Sequence, residues 1–348
     1  MKQLETSRVT IDEVAKRARV SISTVSRVIN GLDRVHPATR QRVLDAVQAL
    51  NYQPSALAKG LATQQTRSLG FVIPTISDPF YLGIVRGVEE AAAAVGHNLL
   101  VASQAVQPDE PCYKPLVDQR RIDAMVVVGI KIPDADLRQF TRQGLPIAFI
   151  QQDAGELASS FLADNYGGAQ TLAEHLLTLG HRHFAYIAGS DATPDSAERL
   201  RGLQDALPAA GSVLPEAYIT RGTYLPGSGY EAMLRLLDLN PRPEAVFAAN
   251  DQMAVDAILA IRECGLRVPE DIAVVGFDDV PMAGYVTPPL TTVRQPTYEL
   301  GFQAASSVLD ATNLAQVSQE RSQQKSQVPT RTVLPTELVI RRSCGSLA

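Results

Sequence analysis

The 348-residue sequence predicts a small all-α headpiece followed by an α/β core of two doubly wound, Rossmann-like subdomains. Three observations carry that reading. Residues 9–30 pattern as two short capped helices. From Ser68 onward, apolar β-rich runs alternate with helical stretches. That alternation then occurs a second time over a stretch of similar length.

Thr10 and Glu13 are spaced as a capping box, so a helix is predicted to begin at Ile11. Its apolar positions Ile11, Val14, Ala15 and Ala18 recur at i, i+3, i+4, i+7 and form one buried stripe. After a turn at residues 19–21, Ser21 can cap a second helix that buries Val25, Val28 and Ile29. Its other face carries Ser23, Ser26, Arg27 and Asn30 and is short, basic and free of acids. Two helices joined by a tight turn, the second with such a face, fit a helix-turn-helix, in which an arginine and small hydroxyls can reach base edges in the major groove. An ordinary amphipathic hairpin fits the same spacing equally well.

Pro37 is placed to start a third helix, with Val43, Leu44, Val47 and Leu50 as its apolar face; Asn51 and Pro54 end it. Residues 1–54 thus read as the headpiece. Residues 55–67 read as a hinge helix and linker: SALAKGL is too short to be stable alone in water and is expected to form only when packed on something.

Residues 68–348 form the core. LGFVIP, NLLVAS, AMVVVG and PIAFIQ are short continuous apolar runs, as expected of parallel strands buried on both faces. Gly96, Gly144, Gly180 and Gly265 each close a helical run before an extended one. A second set of strands follows at HFAYIAG, EAVFAA and IAVVGF, with helices over 195–207, 228–237 and 253–264. Residues 297–310 read as a helix, 316–327 as a polar low-complexity loop, and VLPTELVIRR as a last strand.

Composition limits the function. With 45% hydrophobic and 20% charged residues the chain has a globular profile. It has no membrane-length apolar run, and its N-terminus lacks the apolar core of a signal peptide, so a cytoplasmic location is expected. Residues 1–67 hold eleven Lys or Arg against five Asp or Glu, a net of +6 that leaves −11 for the rest of a −5 chain. A basic head on an acidic body suits nucleic-acid binding by the head alone. Cys112, Cys264 and Cys344 are widely spaced, arguing for reduced thiols and against a disulfide framework or zinc site; His181 and His183 read as structural.

In open α/β sheets ligands bind beyond the carboxyl ends of the strands. Those positions hold Asp78, Phe80 and Tyr81, then Gln151, Gln152 and Asp153, then Asn250 and Asp251, and finally Asp278 and Asp279. Aromatics beside amides and carboxylates suit a polyol. Asn250, Asp251, Asp278 and Asp279 read equally well as helix caps or turn residues. No activated nucleophile, P-loop or dinucleotide fingerprint occurs, so no catalysis, cofactor or metal is expected.

The chain resembles the LacI/GalR family of bacterial transcriptional regulators over nearly its whole length. The likeness rests on TIDEVAKRARVSISTVSRVIN, TRQRVLDAVQALNYQPSALAKGL, TLGHRHFAYIAG, ERLRG, ANDQMA, PEDIAVVGFDD, PPLTTVRQP and PTELVIRRS, in that order. It implies a core similar to type I periplasmic binding proteins and a homodimer on a palindromic double-stranded DNA operator, acting as a repressor under a small-molecule effector. The sequence carries no leucine heptad at its C-terminus to support a tetramer.

By position, the resemblance implies base contacts from Ile22, Ser23 and Arg27 and phosphate contacts from Thr10, Thr24, Ser26 and Asn30. Leu61 would pry open a central base step, with Ala58 and Lys59 against the groove walls. It further implies that Phe80, Tyr81, Gln151, Arg199, Tyr224, Asn250 and Asp278 line the effector cleft. Arg199 and Asp278 would hold the ligand from opposite sides, Tyr224 would stack on it, and Asp195 and Gln252 are weaker candidates. Gln151 stands where some sugar-responsive members have aspartate, His36 where Ser or Thr usually caps a helix, and Ser55 where Asn is usual. A sugar or sugar phosphate controlling carbohydrate use is the leading expectation and a purine the alternative; a sugar-binding protein or sugar-processing enzyme is much weaker.

Overall fold

Thr10 begins the first helix as its spacing predicts. In the computed structural model, which describes residues 9–29, 35–53, 65–106, 110–190, 194–319 and 328–346, the Thr10 hydroxyl accepts from the Glu13 amide at 3.4 Å. The Glu13 carboxylate accepts from the Thr10 amide at 2.8 Å, completing the capping box of α1 (Ile11–Ala18). Arg19, in the left-handed region with φ 53°, ends α1, and Ser21 Oγ accepts from the Thr24 amide at 3.2 Å to open α2 (Ile22–Ile29). Val14, Ala15, Ala18, Val25 and Val28 meet Val43 and Ala46 of α3 (Pro37–Ala49) in one small core.

Two details of α3 differ from the sequence expectation or refine it. Leu44 is 45% exposed, because Val43, Ala46, Val47 and Leu50 already fill the i, i+3, i+4, i+7 stripe and Leu44 lies about a hundred degrees of helix away. His36 does the work of the missing hydroxyl, its Nδ1 accepting from the Ala38 amide at 3.3 Å. Asn30 and the expected hinge helix with Ala58, Lys59 and Leu61 lie outside the described residues. The chain divides into two compact units between Thr66 and Arg67.

The second unit contains two parallel sheets. The first has the order β11-β5-β4-β3-β1-β2, built from β1 (Ser68–Ile73), β2 (Asn98–Ser103), β3 (Ala124–Val128), β4 (Ile147–Ile150), β5 (Ser159–Ala163) and β11 (Arg331–Leu334). The second is β7-β6-β8-β9, from β6 (Phe184–Ala188), β7 (Ile219–Arg221), β8 (Ala245–Ala248) and β9 (Ala273–Val275). Helices α4 (Tyr81–Ala94), α5 (Lys114–Asp118) and α6 (Asp134–Arg142) lie in chain order among the strands of the first sheet. Helices α7 (Asn165–Thr178), α8 (Asp195–Ala206), α9 (Ser228–Leu237) and α10 (Asp251–Glu263) belong with the second. Gly96, Gly144, Gly180 and Gly265 all take positive φ, as required where a helix stops and an extended segment begins.

The chain passes between the subdomains three times. It crosses after β5 into α7, after β10 (Thr292–Arg294) into α11 (Thr297–Gln319), and from β11 to β12 (Glu337–Val339). The C-terminal run VLPTELVIRR is therefore two strands, not one. Pro335, which cannot donate to a ladder, separates β11 in the first sheet from β12, which pairs antiparallel with β10. Helix α11 also outruns the expected 297–310. Nothing between Asp310 and Gln319 is glycine or proline, so the helix continues into the segment expected to be a loop. Residues 320–327 lie outside the described residues.

Helices α4 and α11 pack backbone to backbone on the first sheet. A Cβ at Gly87 would lie 2.2 Å from the Tyr298 carbonyl oxygen, and one at Gly301 would lie 2.3 Å from that of Ile84. Gly87→Val is expected to destabilise the protein by about 1–3 kcal/mol through overpacking, read from a lowered denaturation midpoint with unchanged secondary structure. An unchanged midpoint would contradict this close crossing.

Candidate functional site

The outer face of α2 is short and polar. Ser23 and Arg27 are exposed, Ile22 is 48% exposed, and Thr24 and Ser26 are half-buried. Ser21 Oγ lies 2.8 Å from Ser23 Oγ and 2.9 Å from Thr24 Oγ1, so three hydroxyls cluster at the start of the helix. No acidic side chain lies on α2, and Ser21, Ile22 and Ser23 at its start are exposed. Such an end offers an anion both N–H groups and the positive pole of the helix. Thr10, expected at a phosphate, has its hydroxyl within the capping box, where it also donates to Glu13 at 3.2 Å.

In the core, the strand ends of both subdomains converge on Arg199. This residue, on α8, is 2% exposed; its Nε donates to Asn165 Oδ1 at 2.8 Å and its Nη1 donates to the Ala249 carbonyl. Nη1 lies 3.7 Å from Asp278 Oδ1, and the guanidinium stacks 3.8 Å over the Phe277 ring. Asp195 accepts from Asn165 Nδ2 at 3.3 Å on one oxygen and from Gln151 Nε2 at 3.1 Å on the other. The second bond spans the cleft, since Gln151 follows β4 of the first subdomain and Asp195 opens α8 of the second. Tyr81 reaches the same place: its hydroxyl and Gln151 Oε1 both lie near Gly129, and the charges of Asp78, Asp195 and Asp278 act on it.

Burial dominates the titration of these groups. It lifts Asp195 to about 6 against the opposing pull of Arg199, and it lifts Asp278 despite Arg199 and the hydrogen bond from Gln295. Asp251, fully buried, is also raised, first by burial and then by the charge of Asp278. Burial and nearby carboxylates push the Tyr81 phenol well above its usual range.

The structure brings Tyr81, Gln151, Asp195, Arg199 and Asp278 together, with Phe80 behind Tyr81 in an edge-on ring contact. The Tyr224 ring lies against Gly189, where even a methyl group would be displaced by it. Other expected residues are placed differently. Arg199 and Asp278 belong to the same subdomain and pair directly, rather than facing each other across a ligand. Asn250 is the N-cap of α10, accepting from the Met253 amide at 2.9 Å and donating to the Tyr224 carbonyl at 3.3 Å. Gln252 donates along α10 to Asp256, and Asp153 pairs with Arg331 of β11. Asp279 bonds Arg294 at 2.8 Å and Arg341 at 2.7 Å. Asn165, Phe277 and Gln295 were not singled out by the sequence; Asn165 does follow a strand end, at β5.

Among the described residues no group of three or more His, Cys, Asp or Glu is placed to hold a metal, and no helix is long and apolar enough to cross a membrane. His175 Nε2 lies 3.5 Å from the buried Cys344 Sγ and His181 Nε2 lies 3.1 Å from the Cys344 carbonyl, contacts that fasten the C-terminus.

Residues 10–55 match the family model for bacterial regulatory proteins of the lacI family, and residues 173–344 match that for a periplasmic binding protein-like domain. The chain is 35% identical to the HTH-type transcriptional regulator DegA of Bacillus subtilis, with 97% of this chain and 98% of that protein aligned. It belongs to the LacI family of bacterial transcriptional regulators. Identity is also 35% to the regulator CelR of Thermobifida fusca, over 97% of this chain and 98% of that one. Among solved structures, the lac repressor dimer bound to operator and the anti-inducer ONPF aligns with a TM-score of 0.80 at 30% identity, covering 97% of this chain and 99% of that one. A CelR–cellobiose complex aligns at 0.71 and 34%, covering 97% and 100%. The headpiece is thus the helix-turn-helix of a DNA-binding transcriptional regulator, and the core has the periplasmic-binding-protein architecture of this LacI family.

The raised carboxyls set a direction for stability against pH. Between the ordinary aspartate value and about 6, the folded chain keeps a proton on Asp195 that the unfolded chain releases. Stability from this group is therefore full below about pH 4 and is lost as pH rises through about 6, by on the order of 3 kcal/mol. Asp195→Asn is expected to remove that slope, measured as the difference between the two denaturation midpoints across this window. Parallel curves would contradict the burial of a protonated carboxyl.

Proposed function

We propose that this chain is a homodimeric repressor whose operator affinity is set by a carbohydrate effector in the cleft around Arg199, Asp278, Asp195, Gln151, Tyr81 and Tyr224. The observation that carries this is the bond from Gln151 to Asp195, which joins the two subdomains at their strand ends, where a ligand would take its place. Ile22, Ser23 and Arg27 are proposed to read base edges, with Thr24 and Ser26 near phosphates. The cellobiose complex of CelR, at 34% identity, supports a sugar effector.

The coupling follows from chain connectivity. Asp278 borders the cleft, while Asp279 beside it grips Arg294 on β10, the strand that leads across to α11. A ligand that binds one arrangement of the subdomains better than another shifts their populations by that difference in affinity. A second copy is favoured by the apolar surface of the second subdomain: Leu259 on α10 is 51% exposed, and Met282 and Tyr285 on the adjoining turn are 36% and 87% exposed.

Gel shifts with genomic fragments across a salt series test the DNA reading; a complex that is neither salt-sensitive nor sequence-selective would overturn it. Arg27→Ala is expected to cost about 1–3 kcal/mol and to relax selectivity at one base pair per half-site, whereas uniform weakening would mark a phosphate contact. Tyr285→Ala is expected to shift the dimer dissociation constant by about tenfold or more, read by analytical ultracentrifugation. Asp278→Asn should abolish the effector response and retain operator binding. Arg199→Ala is a poorer probe, because it strands buried carboxyls and should cost about 3–5 kcal/mol of stability.

A further inference from the structure

We infer that Asp123 is a positioning residue for operator binding: its carboxylate holds the residue at which the linker joins the core, and so fixes the direction in which the chain leaves the core. The inference rests on the operator reading above and goes beyond it. Its residues lie at the amino ends of β1, β2 and β3, the opposite ends from those that border the cleft.

Strands β2, β1 and β3 are neighbours in the first sheet and start at one edge of it, with Ser68 opposite Asn98 and Leu69 opposite Ala124. Arg67, one residue ahead of β1, is therefore flanked by Asn98 at the start of β2 and by Asp123 just ahead of β3. Its carbonyl accepts from the Asn98 amide at 2.8 Å, and its own amide donates to Asp123 Oδ2 at 2.7 Å. The Asp123 amide in turn donates to the Ser68 carbonyl at 2.8 Å. Both backbone groups of Arg67 are thus tied, one toward each neighbouring strand.

Two features set this apart from an ordinary strand start. Arg67 is exposed yet has φ 50°, in the left-handed region that a residue with a side chain keeps only where its surroundings hold it there. Ser68 opens the regular ladder, so the turn serves the chain ahead of it, at the division between the two units. The second feature is burial. The Asp123 side chain is 10% exposed, and a carboxylate so far removed from water is tolerated only where its charge is answered. Part of the answer is the Arg67 amide, and part is His97, whose Nε2 lies 3.7 Å from the same oxygen and whose side chain is 9% exposed. His97 is set in turn by the left-handed Gly96 that follows α4, its amide donating to the Ala92 carbonyl at 2.9 Å.

Two headpieces in a dimer gain by effective concentration only when their linkers deliver them to both half-sites together. A linker that leaves the core in one direction favours one half-site spacing. A linker free to swivel at Arg67 loses that advantage, while each headpiece binds unselective DNA as before.

The test uses the full chain with a genomic duplex that it retains selectively and a scrambled duplex of the same length, both followed by fluorescence anisotropy. The readout is the ratio of the two affinities. Asp123→Ala is expected to lower that ratio by about tenfold or more while affinity for the scrambled duplex is unchanged. Arg67→Pro, which has no amide hydrogen and cannot take a positive φ, should do the same and alters no core side chain, so it decides the matter where Asp123→Ala fails to fold. Asp123→Asn keeps an acceptor oxygen and Arg67→Ala keeps the amide, so both are expected to stay within about threefold of the wild-type ratio. One base pair inserted at the centre of the retained palindrome should cost the wild-type chain more than Asp123→Ala, a difference that a merely weakened fold would not give. The inference is overturned if Asp123→Ala and Arg67→Pro leave the ratio unchanged or weaken both duplexes equally. It is also overturned if Arg67→Ala or Asp123→Asn loses as much as Asp123→Ala, or if the inserted base pair costs both chains alike. A wild-type chain that retains no genomic fragment selectively would instead overturn the operator reading, and this inference with it.

Discussion

A single buried guanidinium organises the second subdomain. Removing an ion of this size from water costs several kcal/mol unless its hydrogen bonds and charge are answered. Arg199 is answered on every side that the structure defines: by Asn165 at the start of α7, by the carbonyl of Ala249 after β8, and by Phe277 and Asp278 after β9. Three strand ends that share no local sequence are thereby held to one side chain. The same guanidinium favours the ionised forms of Asp195 and Asp278, against the burial that raises both.

From that point the structure runs toward the crossings. Asp278 and Asp279 both take positive φ, 119° and 57°, which is uncommon for residues with a side chain and turns their carboxylates in different directions. Asp278 faces Arg199 and accepts from Gln295; Asp279 is fixed by Arg294 and Arg341. Asp251, fully buried, accepts from the Val280 amide at 2.9 Å and from the Thr292 hydroxyl, tying α10 to the same segment. A dipeptide with one side chain on the cleft and the next on a crossing strand leaves little slack between them. A change at Asp278 must therefore be taken up by β10 or resisted by it.

Much of this fold was legible because its signals are local. The capping box at Thr10, the glycines that end helices and the apolar runs each depend on neighbours within a few residues. The elements that differ from their sequence pattern depend on remote partners. The run VLPTELVIRR reads as one strand in sequence, and only the position of two sheets on either side of Pro335 divides it. The site divides the same way. Strand ends point to Tyr81, Gln151 and Asp278, since topology places them there. What each side chain then does is decided by its partner: Asn250 caps its own helix, Asp153 is taken by Arg331, and Arg199 pairs with the carboxylate it was expected to oppose. Gln295 carried no signal, for its interest lies in one unmatched oxygen.

The division of charge between the units bears on how such a protein works. Residues 1–66 carry +5 and the remainder −10, so attraction to phosphate resides in the head alone. Cations that neutralise phosphates make the head's attraction to DNA salt-dependent. Two heads linked through a dimer gain by effective concentration what neither has alone, and that gain depends steeply on whether their spacing matches the two half-sites. A sensor that alters spacing therefore has no need to alter any base contact.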